Sequence, residues 1–454
     1  MTSLIKKENE KKVYNLDLYK QIVYKIPKEN DIFDSEFTYE LSKKTDTPLL
    51  SVGFHHLIHT NKDKMEILLQ FKNRKKVYNV LYEFDRYIDN YNNHLNNETI
   101  KYFDIKGNKP KVLSRAFFKL WEIMYMFDLV PIKTKKFTSA HLAEGPGSFI
   151  QSTIFYRDKF AGKNSKNDKY HAVTLHPEDE SDNVPELEKN FVNFYKKENP
   201  QRFIQHKTYS IKMSGGSKKK HNGDLTDPKT VKLFGGNFKN EQADFITADG
   251  GFNWKNENIQ EMEAFQLIFA QCITALKIQK KDGHFVCKIF ESFSDSTLKL
   301  ICILNSFYSN IYITKPFTSR YSNSEKYIVC KNFIYSFNDS KKIQKIKKLD
   351  KILEDLHKNK NHFVISLFNN FKYNKKFLNI ITKINTQISN NQLIIINNIS
   401  KFINGENYHG ELYNNYRQKQ IQATQYWLNT FYSKKFDKDK KIYEKYIEKI
   451  MESQ

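Results

Sequence analysis

Between residues 137 and 331, short apolar segments alternate with longer amphipathic segments, and this alternation restricts the fold more than any other feature of the chain. Short apolar runs bounded by polar turns are typical of buried strands, whereas apolar residues at three-to-four spacing are typical of helices. Strands that alternate with helices indicate a parallel sheet with helices on both faces. We therefore predict an α/β fold, with strands at 137–143, 170–175, 243–248, 284–290, 311–316 and 326–331 and helices at 149–160, 259–278 and 296–307.

The segments on either side of this region lack the alternation. Residues 1 to about 110 are polar and rich in aromatic residues, and segments such as 64–71 repeat apolar residues at helical spacing. Residues 340–454 are rich in Lys, Asn and Ile and also follow a helical pattern. We predict a helical N-terminal extension at 1–110, a central domain at 111–338 and a helical C-terminal extension at 339–454.

The chain is strongly basic. It carries 74 Lys and Arg residues against 51 Asp and Glu residues, which gives a formal net charge of +23. Such a charge favours a polyanionic partner such as a nucleic acid. Only seven of the basic residues are Arg, however, and the chain is also crowded with Asn and Ile. This composition is typical of AT-biased coding, so the charge is only weak support for nucleic-acid binding.

The four cysteines lie inside apolar runs, and none forms a C-x-x-C pair. We expect buried, reduced thiols rather than disulfides or a zinc site, and we predict no metal site. No segment reaches the roughly 18–20 apolar residues that a membrane span requires. The first ten residues have no apolar signal core. We therefore expect a soluble intracellular protein without a membrane partner. The cysteines are Cys272, Cys287, Cys302 and Cys330.

The segment Glu144-Gly145-Pro146-Gly147-Ser148 connects a predicted strand to a predicted helix. Its glycines allow the backbone to pass close to a ligand, and the helix N-terminus presents unpaired N–H groups. In an open α/β sheet, a loop at the carboxyl end of a strand is the usual ligand site. The segment lacks the G-x-x-x-x-G-K-[S/T] and G-x-G-x-x-G patterns, which disfavours nucleoside triphosphates and dinucleotides. A simple turn remains the alternative.

Two further residues are candidates for contacts with the same ligand. Thr174 lies at the end of the next predicted strand, where an acidic residue commonly holds a ribose. Asp224 follows Gly223 in a loop and offers a carboxylate suited to an adenine amino group. A turn or a helix cap is the alternative role for Asp224.

Four charged residues, Lys119, Asp249, Lys288 and Glu325, each lie at the edge of an apolar run. Lys288 is in the middle of a hydrophobic predicted strand, where an unpaired charge would be costly to bury. Two lysines and two carboxylates can together activate a hydroxyl group. Burial and a neighbouring lysine lower the pKa of a lysine towards neutrality, and the carboxylates orient the ammonium groups. Taken singly, each residue is more simply explained as a surface or ion-pair residue, but this alternative explains all four in these contexts poorly.

These segments resemble the FtsJ-type RNA 2′-O-methyltransferases. The resemblance covers residues 112 to about 335 and is closest to the branch that acts on the mRNA cap, which includes eukaryotic enzymes and relatives in large DNA viruses. Segments 141–150, 174–177 and 247–252 favour the Adrift-type enzymes, which act on the second transcribed nucleotide. The motifs that carry the resemblance lie at 114–122, 143–149, 248–252, 286–290 and 319–330.

The resemblance implies a class I, Rossmann-like methyltransferase with a seven-stranded, mostly parallel sheet whose last strand is antiparallel. It implies that Lys288 is the general base or hydroxyl activator, that Asp249 orients it, and that Lys119 and Glu325 complete the network. Thr174 departs from the acidic residue of bacterial FtsJ enzymes, although the cap branch is also non-acidic there. The implied cofactor is S-adenosylmethionine, in contact with Glu144, Gly145, Pro146, Gly147, Ser148, Thr174, Asp224 and Asp249.

The resemblance also implies an RNA substrate, namely capped mRNA methylated on its first or second transcribed nucleotide. We expect RNA contacts from Arg115, Lys315, Arg320 and Ser322, and partners among other capping or transcription proteins. The expected location is the cytoplasm, with a viral factory or virion for a viral protein and the nucleus for a cellular one. The alternatives are an rRNA or tRNA 2′-O-methyltransferase and a catalytically silent RNA-binding subunit with the same fold.

Overall fold

The predicted strands form because each apolar segment pairs with neighbours on both sides. In a computed structural model of the chain, residues 176–177 and 252, which belong to motifs quoted above, lie outside the described residues. The described residues are 19–85, 92–175, 185–206, 209–212, 218–221, 223–251, 257–359, 361–432 and 447–448. Their strands are β1 (Ile22–Ile26), β2 (Tyr39–Ser42), β3 (Thr138–Leu142), β4 (Lys169–Val173), β5 (Phe203–His206), β6 (Tyr209–Lys212), β7 (Lys218–His221), β8 (Ala243–Ala248), β9 (Gln279–Ile289), β10 (Tyr308–Lys315), β11 (Lys326–Phe333) and β12 (Phe363–Leu367).

Eight of the described strands form one sheet in the order β1-β10-β11-β9-β8-β3-β4-β5. The strands from β9 to β5 are parallel to one another. β11 is antiparallel to both β9 and β10, and β1 is antiparallel to β10. The predicted α/β fold with a mostly parallel sheet and one antiparallel strand is therefore confirmed. β1 adds an eighth strand at the edge.

The flanking segments depart from the helical prediction. β1 pairs with β10 of the large sheet, and β2 pairs with β12 in a separate two-stranded sheet. The helical prediction is therefore wrong for these three segments. Each is only four or five residues long, and its strand conformation depends on a distant pairing partner rather than on local periodicity. The remaining pair, β6 and β7, forms a short antiparallel sheet.

The three predicted helices correspond to α4, α7 and α8 of the structure. The described α-helices are α1 (Val52–Lys62), α2 (Asn92–Tyr102), α3 (Ala116–Phe127), α4 (Ser148–Ala161), α5 (Lys189–Glu198), α6 (Pro228–Gly235), α7 (Gln260–Ile278), α8 (Asp295–Asn305), α9 (Ser340–Lys358), α10 (Lys375–Asn404) and α11 (Gly410–Phe431). Short 3-10 helices lie at Ile32–Asp34, Asp63–Phe71, Val77–Leu81, Gly162–Asn167, Gly236–Phe238 and Glu257–Ile259. Among the described residues, no helix combines the length and the apolar character that crossing a bilayer requires.

The core consists of two large apolar clusters on opposite faces of the sheet. On β9, Phe285 and Cys287 belong to one cluster and Val286 to the other, as the period of two in a strand requires. Helices α7 to α10 cover the first face, whereas α3, α4 and α11 cover the second. The C-terminal helices therefore pack directly on the central domain. All four cysteines are buried free thiols, as predicted.

One buried carboxylate connects α3 to the C-terminal helix α11. Glu122 is fully buried, and its oxygens accept hydrogen bonds from the backbone N–H groups of Phe317 and Thr318 at 2.8 and 3.1 Å. They also accept from the Thr318 hydroxyl at 2.6 Å and from the indole N–H of Trp427 at 2.8 Å. Glu122 therefore fixes the segment after β10 relative to α3 and α11.

Candidate active site

Parallel strands place their carboxyl ends at one edge of a sheet, and the four predicted catalytic residues meet at this edge. Asp249 directly follows β8, and Lys288 lies near the end of β9. Glu325 directly precedes β11, which is antiparallel and therefore begins at the same edge. Lys119 comes from the buried helix α3. Segments that are up to about two hundred residues apart in sequence thus form one site.

Two ion pairs make up this site. The Lys119 ammonium group lies 2.6 Å from Oε1 of Glu325. The Lys288 ammonium group lies 3.1 Å from Oδ1 of Asp249 and donates a hydrogen bond of 2.8 Å to the Asp249 carbonyl oxygen. The structure therefore brings all four predicted residues together, with each lysine beside one carboxylate.

The Tyr327 hydroxyl links the two ion pairs. Tyr327 and the four charged residues are together called the catalytic network below. The hydroxyl lies 3.2 Å from Oδ1 of Asp249 and 3.3 Å from Oε1 of Glu325. Burial and the two carboxylates raise the pKa of Tyr327 well above its usual value, so its hydroxyl remains a donor. The sequence analysis missed this residue. Its signal is the spacing of two from Glu325, which places both side chains on one face of an extended segment.

The charges of the site hold Glu325 ionised. Burial alone would raise the pKa of Glu325, but the ammonium groups of Lys119, Lys288 and Lys315 outweigh burial and hold it well below its ordinary value. Ser319 also donates a hydrogen bond of 2.8 Å to Oε1 of Glu325. A carboxylate that is charged at neutral pH can therefore orient the lysines around it.

The structure corrects the expected protonation of Lys288. The sequence analysis expects its pKa to fall towards neutrality, and burial does act in that direction. Asp249 and Glu325 outweigh burial, however, and raise the pKa of Lys288 above 10.5. In the free protein Lys288 is therefore an ammonium group that donates hydrogen bonds, and it is not a ready proton acceptor.

Lys315 is fully buried, which corrects its predicted contact with an RNA phosphate. Its ammonium group donates hydrogen bonds to the carbonyl oxygens of Glu325 at 2.5 Å and Asn323 at 3.0 Å. Burial lowers the pKa of Lys315 to about 7, and Glu325 partly opposes this shift. Lys315 thus fixes the backbone that carries Glu325 and is not accessible to a phosphate in this structure.

The glycine loop follows β3, at the same edge of the sheet as the two ion pairs. A Cβ atom on Gly145 would lie 1.6 Å from the Pro185 carbonyl oxygen, so only glycine fits. Gly147 has a φ of +113°, which favours glycine, and directly precedes α4. The N–H groups at the start of α4 therefore lie beside the catalytic network.

Replacing Gly145 by Ala should weaken S-adenosylmethionine binding about tenfold or more, which corresponds to about 1.4 kcal/mol or more. The added methyl group must displace the Pro185 carbonyl or the loop itself. Isothermal titration with the cofactor measures the effect. Gly236→Ala is the matched control, because a Cβ atom there meets nothing within 4 Å. Equal affinities for both variants would contradict the assigned role of the loop.

Glu144 has one satisfied and one unsatisfied carboxylate oxygen. Its Oε1 accepts a hydrogen bond of 2.7 Å from the N–H group of Ile150 in α4. Its Oε2 is buried and has no hydrogen-bond partner among the described residues. Burial, reinforced by Asp249 nearby, raises the pKa of Glu144 well above its ordinary value. An ammonium group, such as S-adenosylmethionine carries, would favour the ionised form of this carboxyl group and provide a donor for its unsatisfied oxygen.

The other predicted cofactor residues support the loop. The Thr174 hydroxyl accepts a hydrogen bond of 3.3 Å from the N–H group of Gly145, and the Ser148 hydroxyl lies 2.7 Å from that of Ser114. The Pro146 carbonyl accepts from the N–H group of Glu188 at 2.9 Å. Asp224 forms a turn by accepting from the N–H and hydroxyl groups of Thr226. Their direct contact with the cofactor stays a prediction.

A cavity of about 430 Å³ adjoins the catalytic network. Ser319, which donates to Glu325, is also in its wall. Two of the predicted RNA-binding residues, Arg115 and Arg320, line it and both bind the buried Asp85, at 3.0 and 2.7 Å. Ser322, another of the four predicted RNA-binding residues, accepts a hydrogen bond from the hydroxyl of Tyr82, which lines the cavity. Further lining residues include Tyr19, Glu83, Phe84, Phe317, Tyr321 and Gln387.

Comparison with known proteins identifies the relatives of this region. Residues 112–333 match the FtsJ-like methyltransferase family. The cap-specific mRNA (nucleoside-2′-O-)-methyltransferase 1 of Mus musculus is 38% identical over 26% of the chain and 15% of its own length. The corresponding enzymes 1A of Caenorhabditis briggsae and 2 of Drosophila melanogaster are both 28% identical, over 50% and 60% of the chain. The chain spans only 26% and 36% of the length of these two relatives.

Proposed function

We propose that the protein methylates a ribose 2′-hydroxyl of capped RNA, and the match of residues 112–333 to the FtsJ-like methyltransferase family is the premise of this proposal. The observation that supports the proposal is the pair of ion pairs, Lys119–Glu325 and Lys288–Asp249, beside a glycine loop at the carboxyl edge of the sheet. When bound, S-adenosylmethionine supplies the methyl group. The orphaned oxygen of Glu144 is suited to hold its amino group.

Lys288 activates the hydroxyl as a charged donor. Its ammonium group donates a hydrogen bond to the 2′-oxygen and stabilises the negative charge that develops there, while the hydroxyl proton is released to solvent water as the oxygen–methyl bond forms. Asp249 orients Lys288 through its side chain and its carbonyl group. Lys119 and Glu325 hold the second half of the network, with Tyr327 between the two halves. Positioning of the hydroxyl in line with the methyl group supplies much of the remaining rate enhancement.

The cavity beside this network is suited to the cap guanine. Guanine methylated at N7 is a flat cation, and such groups bind between aromatic rings with a carboxylate nearby. Tyr82, Phe84 and Tyr321 provide aromatic surface in the cavity wall, and Glu83 provides a carboxylate. Because Ser319 touches both the cavity and Glu325, a guanine bound there lies next to the nucleotides that enter the catalytic network.

Methyl transfer from labelled S-adenosylmethionine to matched RNAs tests the proposal. We expect a kcat/KM at least about tenfold higher for RNA with an N7-methylguanosine cap than for the same RNA with a 5′-triphosphate, because one aromatic-bound cation contributes about 1–2 kcal/mol. RNAs with a 2′-deoxy nucleotide at the first or the second transcribed position identify the acceptor. Equal rates on capped and uncapped RNA would favour the rRNA or tRNA alternative, and RNA binding without transfer would favour the silent subunit.

Replacing Glu83 by Gln should reduce the preference for an N7-methylated over an unmethylated guanosine cap about tenfold. Glutamine retains a hydrogen-bond acceptor but removes the negative charge that complements the methylated base. Competition by the two cap analogues in the methyl-transfer assay measures this preference. Glu66→Gln, at an exposed position, is the matched control. An unchanged preference in Glu83→Gln would place the cap guanine elsewhere.

The RNA contacts of Arg115, Arg320 and Ser322 are part of the same proposal, because the two arginines line the cavity and Ser322 is hydrogen-bonded to Tyr82 in its wall. Binding to other capping or transcription proteins is a further proposal that rests on the resemblance alone, as is a location in the cytoplasm, a viral factory or virion, or the nucleus. Co-purification of the tagged full chain from its native cells tests the protein partners, and imaging of the same chain tests the location.

A further inference from the structure

His55, His59 and Glu291 form a second cluster of polar side chains, outside the catalytic network. Both histidines belong to α1, and Glu291 follows the end of β9. Nε2 of His59 lies 3.0 Å from Oε2 of Glu291, and Nε2 of His55 lies 3.9 Å from the same oxygen. One potential ligand atom from each residue lies within 4.8 Å of the other two.

This arrangement of donor atoms matches the requirements of a divalent transition metal. Histidines four positions apart on a helix project from one face and can share one ion, as in the H-E-x-x-H zinc motif. Two imidazole nitrogens and one carboxylate oxygen are ligands that Zn²⁺ prefers. Ligands at about 2.0–2.2 Å around a tetrahedral ion lie about 3.3–3.5 Å from one another. The two separations from Glu291, 3.0 Å for His59 and 3.9 Å for His55, lie on either side of this value.

Hydrogen bonds and an ion pair fix the side chains of Glu291 and His59, whereas the His55 imidazole remains available to bind a metal ion. Lys62 lies 2.5 Å from Oε1 of Glu291, which leaves Oε2 directed at the histidines. His59 is hydrogen-bonded to that oxygen. The His55 imidazole has no hydrogen-bond partner among the described residues, although it packs against His59 and Phe293 with ring centroids 3.8 and 5.1 Å apart. A network of hydrogen bonds alone therefore does not account for the placement of His55.

The three side chains differ in solvent exposure, and this difference suits a metal ion with one coordination position open to solvent. The side chains of Glu291, His59 and His55 are 3%, 11% and 23% exposed, respectively. The cluster is thus enclosed on the side of Glu291 and open to solvent at His55. A water molecule can complete the coordination on the open side, as in sites with three protein ligands.

We propose that His55, His59 and Glu291 bind a single Zn²⁺ ion, which joins α1 to the end of the strand that carries Lys288. The sequence analysis predicts no metal site because it considers the cysteines only. The His-x-x-x-His spacing at 55–59 is visible in the sequence. Its carboxylate is 232 residues away from His59 in the chain, so only the fold reveals the third ligand.

Metal titration of the full chain after treatment with a chelator tests this site. We expect the wild type to bind one equivalent of Zn²⁺ in competition with a chromophoric chelator. His55→Ala should bind Zn²⁺ about 100-fold more weakly, since loss of a ligand costs at least as much as loss of a residue that orients one. His56→Ala, at the neighbouring exposed position, should bind like the wild type. Absence of stoichiometric binding by the wild type, or equal binding by His55→Ala and the wild type, would overturn the proposal.

Cobalt substitution provides a readout that does not depend on loss of binding. His55→Cys retains a possible ligand, and a cysteine that binds Co²⁺ adds a sulfur-to-metal charge-transfer absorption. We expect this absorption in Co²⁺-loaded His55→Cys and not in the Co²⁺-loaded wild type, whose four cysteines are buried. A folded His55→Cys protein that lacks the absorption would show that residue 55 is not a ligand.

Discussion

Lys288→Ala should lower kcat for methyl transfer by about a thousandfold or more, as does loss of a group that stabilises transition-state charge. Lys288 is the ammonium group that faces the predicted position of the 2′-hydroxyl, and its pKa is raised by Asp249 and Glu325. Without the Lys288 ammonium group, Asp249 has no cation to orient. The negative charge that develops on the 2′-oxygen then has no hydrogen-bond donor from Lys288. Single-turnover transfer to capped RNA, with saturating cofactor, measures the chemical step.

The affinity of Lys288→Ala for S-adenosylmethionine should remain within about threefold of the wild type, which corresponds to less than about 0.7 kcal/mol. The glycine loop and Glu144 are expected to make the main cofactor contacts, and neither depends on the Lys288 ammonium group. Lys281→Ala is the matched control, since Lys281 lies on the same strand β9 and is exposed. Substantial methyl transfer by Lys288→Ala would remove the lysine from the proposed mechanism.

Glu325→Gln should destabilise the fold by about 3 kcal/mol and should also abolish most of the activity, because breaking a buried ion pair leaves charge uncompensated. Glu325 is the common counter-charge for Lys119, Lys288 and Lys315. Glutamine has nearly the same shape, so packing is preserved while Lys119 loses its ion-pair partner and Lys288 and Lys315 lose a nearby counter-charge. Chemical denaturation at neutral pH measures the loss of stability.

The acid limb of the stability curve gives an independent check on Glu325. Its pKa in the folded protein lies well below the ordinary value of 4.5. A lowered carboxyl pKa contributes stability that is fully present above the unfolded-state pKa and is lost as the pH falls below about 4.5. Glu325→Gln should therefore lose less stability than the wild type on acidification. Glu354→Gln, at an exposed position of α9, is the control and should follow the wild-type curve of stability against pH. If Glu325→Gln also followed the wild-type curve, the lysines would not hold the Glu325 carboxylate in its charged form.

Local sequence patterns predict six of the eight strands of the large sheet, because each of those six is strongly apolar, whereas β1 and the half-buried β5 were missed. The observed β8, for example, coincides with the predicted segment 243–248. Once these strands are predicted, their directions in the sheet are sufficient to place Asp249, Lys288 and Glu325 at one edge. The flanking strand β1 is also apolar, but it lies outside the alternation of strands and helices, and its conformation depends on pairing with β10 from the far side of the sequence.

The electrostatics of the site could not be predicted because they depend on distances between side chains. The presence of two lysines suggests a lowered lysine pKa. In the structure, however, the carboxylates of Asp249 and Glu325 outweigh burial, and the pKa of Lys288 rises. The lowered pKa belongs instead to Lys315, whose burial is not visible in the sequence. Tyr327 was missed for the same reason, since its role depends on reaching both carboxylates at once.

The cavity beside the catalytic network is built from several distant parts of the chain. The FtsJ-like segment 112–333 contributes Arg115 and residues 317–321, whereas Leu81–Asp85 and Gln387–Ile395 supply much of the remaining wall from the flanks. If the cavity binds the RNA end as proposed, substitutions in the flanks change which RNA end is accepted without altering Lys119, Asp249, Lys288 or Glu325. Substrate choice and reaction rate would then be separately open to evolutionary change within one chain.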